Sequence, residues 1–202
     1  MSHRLDREKR PIMPLTSRAP SRGFTLIELM ITVLLAVILM MVALPVFTKW
    51  IQNTKTRSIA ESLQNGIRLA KTEALRRSRL VDFRLTAATP GKGAATSKSG
   101  TNWYVQQNSA LLAADSTDAN YNLYVQGSSQ SDANSNVTVA GDVDVLTFSS
   151  LGRLTNTGAA SYKFVVSNPN GDRTLNVIVT QGGQIRMCDP QITLSSTNPT
   201  GC

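Results

Sequence analysis

The stretch RGFTLIELMITVLLAVILMMVALPVF, residues 22–47, decides how the chain is organised. From Leu29 to Phe47, about 19 residues follow one another with Thr32 as the single polar side chain, which is long enough for a helix to cross a bilayer. One acid, Glu28, stands at the head of this run. An unpaired carboxylate is costly in hydrocarbon, so an acid at this place predicts a functional site with a partner.

The positive charge of the chain is concentrated before this run. The 202 residues carry a formal net charge of +8, and residues 1–23 hold six basic and two acidic residues of the total. By the positive-inside rule this basic block stays in the cytoplasm. We therefore expect one membrane crossing, with the larger C-terminal part on the far side of the membrane.

The inventory of reactive side chains argues against an enzyme. The only histidine, His3, lies in the basic N-terminal block, and the two cysteines, Cys188 and Cys202, lie near the C-terminus. No pair of carboxylates has a diagnostic spacing, and Gly91-Lys92-Gly93 lacks the strand-to-helix frame of a phosphate-binding loop. We predict no catalytic residues, no metal site and no cofactor.

Helical periodicity continues beyond the apolar run and then changes. Apolar residues recur on one helix face at Ile51, Ile59, Leu63, Ile67, Ala70 and Ala74, which predicts a helix that continues to about Arg77. Alternation in LVDFRLT then predicts a half-buried strand with Val81, Phe83 and Leu85 inside. Further strands are predicted at Trp103–Gln106, at Tyr121–Gln126, twice within 137–150 and three times within 161–188. The fold class is α+β: a long N-terminal helix packed on a C-terminal antiparallel sheet.

The residues around Gly23 carry a specific resemblance. Gly23-Phe24-Thr25-Leu26-Ile27-Glu28 before a long apolar helix resembles the class III signal of type IV pilins and pseudopilins. The resemblance implies cleavage between Gly23 and Phe24 by a prepilin peptidase, which also N-methylates Phe24. It further implies filament assembly through the apolar helix, in which Pro45 matches a common helix-bending proline. The alternatives are a plain signal anchor with an incidental acid, or a secretory signal cut after the run near Ala43-Leu44-Pro45.

Cleavage would supply the partner that Glu28 lacks. The new α-amino group on Phe24 is largely cationic near neutral pH. In a staggered filament the amine of one subunit can lie against Glu28 of the next, and in an apolar core the two charges are tolerated only as a pair. We interpret Glu28 as the residue that sets the register of assembly. The leader is either residues 1–23 or, if Met13 is the true start, residues 13–23.

Two further segments resemble the GspH/FimT family of minor pilins and pseudopilins. They are AESLQNGIRLAKTEALRRSRLVDFRL and VLTFSSLGRLT, the latter with Phe148, Gly152 and Arg153 at the family positions. The resemblance implies a leader (1–23), a transmembrane and assembly helix (24–47) and a periplasmic pilin-like domain (48–202). It places the protein in the inner membrane of a Gram-negative bacterium, single-pass, and then in a cell-surface pilus. Its implied partners are the prepilin peptidase, other minor pilins and the major pilin.

The family resemblance implies a minor pilin that takes part in pilus initiation and in the tip complex, with two alternatives. One is a DNA-binding minor pilin for natural transformation, whose Gly-Arg-x-Arg motif is matched here by Gly183 and Arg186, with Gln184 in place of the first arginine. Its candidate contacts to double-stranded DNA are Lys163, Arg173, Arg186 and Arg153. A second basic group, Arg68 to Arg84, is either a solvated face paired with Glu73 and Asp82 or a phosphate-binding surface. The other alternative is a GspH-type pseudopilin of type II secretion.

The two cysteines predict a disulfide. In an oxidising compartment Cys188 and Cys202 would close a loop over residues 189–201. Such a stapled terminal loop is familiar in type IV pilins and is more typical of pilus subunits than of secretion pseudopilins.

Overall fold

The computed structural model describes residues 23–108, 124–130 and 136–202. The chain divides into two compact units, with the division between Val42 and Ala43. One helix, α1 (Leu26–Arg77), precedes eight strands. The strands are β1 (Val81–Thr86), β2 (Asn102–Gln107), β3 (Tyr124–Ser128), β4 (Thr138–Gly141), β5 (Val145–Phe148), β6 (Ser161–Ser167), β7 (Leu175–Thr180) and β8 (Ile185–Cys188).

The predicted end of the helix is confirmed, and its chemistry is visible in the backbone. The N–H of Arg79 donates to the Ala74 carbonyl at 3.2 Å, and Ser78 adopts a left-handed φ of 53°. These two features are those of a Schellman termination, in which glycine is the usual left-handed residue. The helix therefore stops at Arg77 although no glycine or proline follows it directly.

The predicted apolar face of α1 forms the helical side of the core. Five of its residues are fully or almost fully buried: Ile59, Leu63, Ile67, Ala70 and Ala74. Gly66 lies on the same side, where a Cβ atom would come within 2.7 Å of the Trp103 ring. The Trp103 indole N–H donates to Ser62 Oγ at 2.9 Å. Gly66 therefore costs helix stability but lets the largest aromatic ring of β2 lie flat on α1.

The strands form two four-stranded antiparallel sheets rather than the single sheet expected from the sequence. Their orders are β3-β2-β1-β5 and β4-β6-β7-β8. The chain changes sheet between β4 and β5: the Asp142 N–H still donates to Lys163 of β6 at 2.9 Å, whereas the Asp144 carbonyl already accepts from Leu85 of β1 at 2.8 Å. A three-residue connection thus separates two strands that the alternating pattern could not assign to different sheets.

Most predicted strands are present, with small shifts at their ends. The strand predicted over Tyr121–Gln126 begins at Tyr124 as β3, and residues 121–123 lie outside the described residues. The inner faces of the two sheets share one core with α1, in which Phe83 of β1 meets Phe164 of β6 edge to face at 5.9 Å between ring centres. This shared core holds both sheets against the same helix.

The prediction that β1 is half buried is wrong, because its polar side is also covered. Asp82 is 1% exposed and accepts hydrogen bonds from Arg84 (2.7 Å), Thr147 (2.7 Å) and Asn108 (3.0 Å). Burial would lower the pKa of the Arg84 guanidinium, but the hydrogen bond and charge of Asp82, with a smaller contribution from Tyr104, raise it above its usual value. A buried carboxylate is tolerated here because each of its oxygens has donors.

Candidate functional site

The proposed processing bond lies just before the helix. Gly23 and Phe24 are exposed and precede α1, and Phe24 keeps 81% of its surface accessible. A Cβ atom on Gly23 would meet nothing within 4 Å. No packing in the described part of the chain therefore requires glycine at this position, which fits a requirement set by an enzyme that binds here.

Glu28 lies in the first turn of α1, where the helix dipole favours a negative charge. The Glu28 N–H donates to Thr25 Oγ1 at 3.3 Å, so Thr25 caps the helix. Thr25 and Glu28 have the Thr-x-x-Glu spacing of a capping box, a signal in the sequence that the motif-based prediction did not use. The Glu28 carboxylate itself is exposed, and within residues 23–108, 124–130 and 136–202 it has neither a hydrogen bond nor an ion pair.

The first part of α1 exposes its apolar side chains on all sides. By length and composition it is the one helix among the described residues that could cross a membrane. Leu29, Met30, Val33, Leu34, Val37 and Ile38 border a common shallow depression in this surface. Pro45 lies inside α1, where it lacks the N–H that would close the helical hydrogen bond one turn earlier. A surface of this composition is stable only in lipid or against other apolar helices.

The structure contains the Cys188–Cys202 disulfide. Cys188 ends β8, and the loop that it closes returns alongside, with the Asp189 N–H donating to the Thr200 carbonyl at 2.8 Å. Asp189 is buried, and its carboxylate accepts from Arg173 at 3.2 Å and from the Gln191 N–H at 2.9 Å. The loop is therefore held by backbone contacts and by a buried acid as well as by the disulfide.

We expect removal of the disulfide to destabilise the domain by about 3 kcal/mol, because it closes a loop with a sequence separation of 14 residues. The test compares a Cys188→Ala/Cys202→Ala double variant with the parent by pulse proteolysis of the full chain in detergent micelles. Thr193→Ala, an exposed change inside the same loop, is the matched control. Equal stability of the double variant and the parent, or free thiols in the exported parent, would contradict the prediction.

The four basic residues predicted to contact DNA do not form one cluster. Lys163 and Arg186 share the outer face of the second sheet, each paired with Ile178 across a strand. Arg173 lies before β7, whereas Arg153 follows Gly152, which packs against Gly183 beyond the far end of β7. Six strand residues, about 20 Å, separate the two ends. Two of the four also have partners within the domain: Arg173 pairs with Asp189, and Arg186 donates to the Gly201 carbonyl at 3.5 Å.

The second basic group contains the acid partners proposed for it. Glu73 accepts from Arg76 at 2.7 Å and from Arg77 at 2.8 Å. The Arg76 hydrogen bond is the main cause of a lowered pKa for Glu73, burial opposes it, and Arg77 adds to it. The guanidinium groups of Arg76 and Arg77 are therefore largely occupied by an ionised carboxylate, as the solvated-face interpretation requires.

A junction of two glycines and one lysine joins α1 to the second sheet, and sequence analysis missed it. Lys71 Nζ donates to the Gly183 carbonyl at 2.8 Å. Gly183 has a φ of 78°, and a Cβ atom there would lie 2.0 Å from the Gly152 carbonyl oxygen. A Cβ atom on Gly152 would in turn lie 3.0 Å from the Lys71 side chain. Gly152 of the VLTFSSLGRLT segment and Gly183 of the partial Gly-Arg-x-Arg match are thus needed where the backbones of their loops meet.

No group of three or more histidine, cysteine, aspartate or glutamate side chains that could hold a metal ion comes together in the described ranges. A groove of about 390 Å³ within the second unit lies between α1 and β8 and is lined by Trp50, Arg57, Arg173, Met187 and the disulfide region. Its arginines are occupied by Glu61 and Asp189. The groove offers polar and apolar contacts and no array of titratable groups suited to catalysis.

A long N-terminal helix, apolar in its first part and packed on antiparallel sheets in its second, defines an α+β pilin fold. A model of the family described as Type II transport protein GspH matches residues 60–183, and the chain belongs to this family. The prokaryotic N-terminal methylation motif matches residues 18–44. The family and the fold are those of pilin structural proteins.

Two solved structures resemble the chain. Both are crystal structures of the type IV minor pilin FimU of Pseudomonas aeruginosa strain PAO1, each 19% identical in sequence. One covers 70% of this chain and 97% of its own with a TM-score of 0.50, and the other covers 67% and 97% with a TM-score of 0.46. At this identity the similarity concerns the fold. No curated protein sequence matches the chain.

Proposed function

We propose that the chain is a minor pilin of a type IV pilus, taking part in pilus initiation and in the tip complex through its N-terminal helix. The observation that supports this most directly is the first turn of α1. The methylation motif matched over residues 18–44 contains the accessible Gly23–Phe24 bond, and the Glu28 carboxylate that follows this bond has no partner among the described residues. A carboxylate placed at the start of an apolar surface needs a cation from elsewhere once that surface is buried.

The order of events follows from these residues. The basic leader stays in the cytoplasm, the apolar part of α1 lies in the inner membrane, and the domain after residue 47 lies in the periplasm. Prepilin peptidase cleaves after Gly23 and methylates the new amine of Phe24. Other minor pilins and the major pilin then pack against the apolar helix, and the amine of one subunit neutralises Glu28 of its neighbour.

The family match favours a second candidate, a pseudopilin of a type II secretion system, because the model is named for a type II transport protein. The two candidates share processing and helix-mediated assembly and differ in the filament that receives the subunit. They are separated by asking whether the chain copurifies with surface pili or with the secretion apparatus.

We expect the mature chain to begin at Phe24 and to carry one methyl group on its amine. The test is mass spectrometry of the N-terminal peptide of the full chain, recovered from sheared surface filaments and from membranes. A Gly23→Val variant should retain the leader, because a branched side chain blocks close approach of the backbone to a protease. A mature N-terminus near Pro45, or an intact leader in the parent protein, would contradict the proposal.

A further inference from the structure

We propose that Leu75, Leu151, Arg68 and Arg153 form a docking surface for a neighbouring protein subunit, here called the Leu151 surface. The subunit that fits is one with an apolar centre and an acidic rim. The inference rests on the proposed function, since it names the chemistry of one neighbour that an assembled minor pilin requires.

The apolar part of the Leu151 surface has no explanation in the packing of the domain. Leu151 is 78% exposed at the tip of a turn that the Gly152 N–H closes onto the Ser149 carbonyl at 2.8 Å. Leu75, 46% exposed, lies against Gly152, with a methyl group 3.4 Å from the position of a Cβ atom. Among the described residues beyond Trp50, the exposed large hydrophobic side chains are these two and Leu194. Turn tips favour polar residues, so an exposed leucine at this tip, with a second exposed leucine on α1 against the same turn, indicates an interaction site.

In the family-like segment VLTFSSLGRLT around this turn, Phe148 and Gly152 pack within the domain, whereas the Arg153 side chain has no partner among the described residues. Phe148 is fully buried, and Gly152 makes the contact to Lys71 and Gly183. Arg153 closes the turn with its backbone only: its carbonyl accepts from the Ser149 N–H at 2.8 Å, and its own N–H donates to Ser149 Oγ at 3.3 Å. Any residue other than proline could supply these bonds. The Arg153 guanidinium is exposed and has no hydrogen bond or ion pair within the described ranges.

The surroundings add positive charge that the domain does not neutralise. Arg68 lies two turns before Leu75 on the same side of α1, exposed and without a partner in the described part of the chain. Over residues 68–77 the helix carries four basic side chains and a single acid, Glu73. With four basic side chains and one acid the stretch has a net charge of +3, which would attract an acidic partner to this end of the domain.

The leucines favour a protein partner over a nucleic acid. Phosphate recognition uses cations and hydrogen-bond donors and gains nothing from two exposed leucines beside them. Protein interfaces instead combine a desolvated apolar centre with arginine, which is enriched there because its flat guanidinium stacks and binds carboxylates. The Leu151 surface has that composition, so we assign it to a second pilin-fold chain with carboxylates around an apolar depression.

The test introduces a photo-crosslinking residue at exposed Ser150 of the full chain in pilus-forming cells, with Ser195 of the terminal loop as the control position. Mass spectrometry should identify an adduct from Ser150 with another pilin-fold chain. Leu151→Asp places a charge at the centre of the contact, and Arg153→Glu reverses one there. Each should therefore lower the yield of that adduct about tenfold. Arg153→Lys, which keeps the charge but loses the flat guanidinium, should lower the yield less than Arg153→Glu does. Thr193→Glu, a charge change elsewhere, should leave the yield unchanged.

Several outcomes would overturn the inference: no protein adduct from Ser150, an adduct with nucleic acid or lipid in its place, or a yield indifferent to Arg153→Glu. The same cells report on the proposed function separately, through the presence of methylated chain in sheared filaments. Chain in filaments without the adduct defeats the docking surface and leaves the minor pilin proposal standing. An adduct in cells whose filaments and secretion apparatus both lack the chain defeats the minor pilin proposal.

Discussion

A Gly183→Ala variant is expected to lose about 2 to 5 kcal/mol of unfolding free energy, enough to unfold a large share of a marginal domain. Two costs combine. Alanine at a φ of 78° is strained by about 1–2 kcal/mol, and its methyl group would lie 2.0 Å from the Gly152 carbonyl oxygen, an overlap that requires one loop to move at about 1–3 kcal/mol. The measurement is urea-dependent pulse proteolysis of the full chain in detergent micelles.

The chain supplies matched controls for both costs. Gly182→Ala changes the preceding residue, where the nearest atom to a Cβ is 3.9 Å away, and should shift stability by less than about 0.5 kcal/mol. Gly93→Ala combines a φ of 71° with open space and should show the backbone cost alone, about 1–2 kcal/mol. If Gly183→Ala proves no worse than Gly93→Ala, the contact with Gly152 is not the constraint that the structure indicates.

The contacts among Lys71, Gly183 and Gly152 also position the exposed Leu151. Lys71 holds the Gly183 carbonyl, Gly183 packs on Gly152, and Gly152 carries Leu151 at the tip of its turn. A change at Gly183 should therefore displace the Leu151 surface as well as lower stability. For this reason the crosslinking experiment uses substitutions on the turn itself and leaves the junction intact.

Periodicity was sufficient to predict α1 and most of the strands, because an apolar face at helical spacing and alternation in strands are local signals. It did not predict the division into two sheets. That division depends on hydrogen bonds of Asp142 and Asp144 to strands far away in sequence. Asp82 was predicted to be exposed for the same reason: the residues that cover it, Asn108 and Thr147, come from other elements.

Gly66 and Gly183 show the same limit of prediction from local sequence more clearly. The sequence marks Gly66 as a weak point in a helix, whereas the structure shows that it admits the Trp103 ring. Gly183 resembled half of a DNA-binding motif, whereas in the structure it makes a backbone contact with Gly152. The processing motif, by contrast, was recognisable from sequence because its residues are contiguous and are recognised by an enzyme rather than by the fold.

Glu28→Gln is expected to leave membrane insertion and cleavage after Gly23 intact and to reduce incorporation into filaments by about a hundredfold. The reason is the amine of Phe24 in the neighbouring subunit. Once buried without a carboxylate it would cost about 3 kcal/mol or more, which corresponds to that factor. Glutamine nearly preserves the size of the side chain and removes only its charge.

Glutamine also separates the two roles that the structure allows for Glu28. A capping box accepts glutamine as well as glutamate at this position, so the cap with Thr25 survives the substitution. Glu61→Gln is the matched control, since it makes the same change on the same helix at an exposed ion pair with Arg57. That pair is worth little, and its loss should leave assembly unchanged.

The most direct test of this account is the ratio of chain in sheared surface filaments to chain in the membrane, measured for the parent, Glu28→Gln and Glu61→Gln. We expect equal ratios for the parent and Glu61→Gln, and a ratio about a hundredfold lower for Glu28→Gln. In all three chains the leader should be removed and the new N-terminal Phe24 methylated. A Glu28→Gln ratio equal to that of the parent would show that assembly does not need the charge of this side chain, and would contradict assembly through a charge pair.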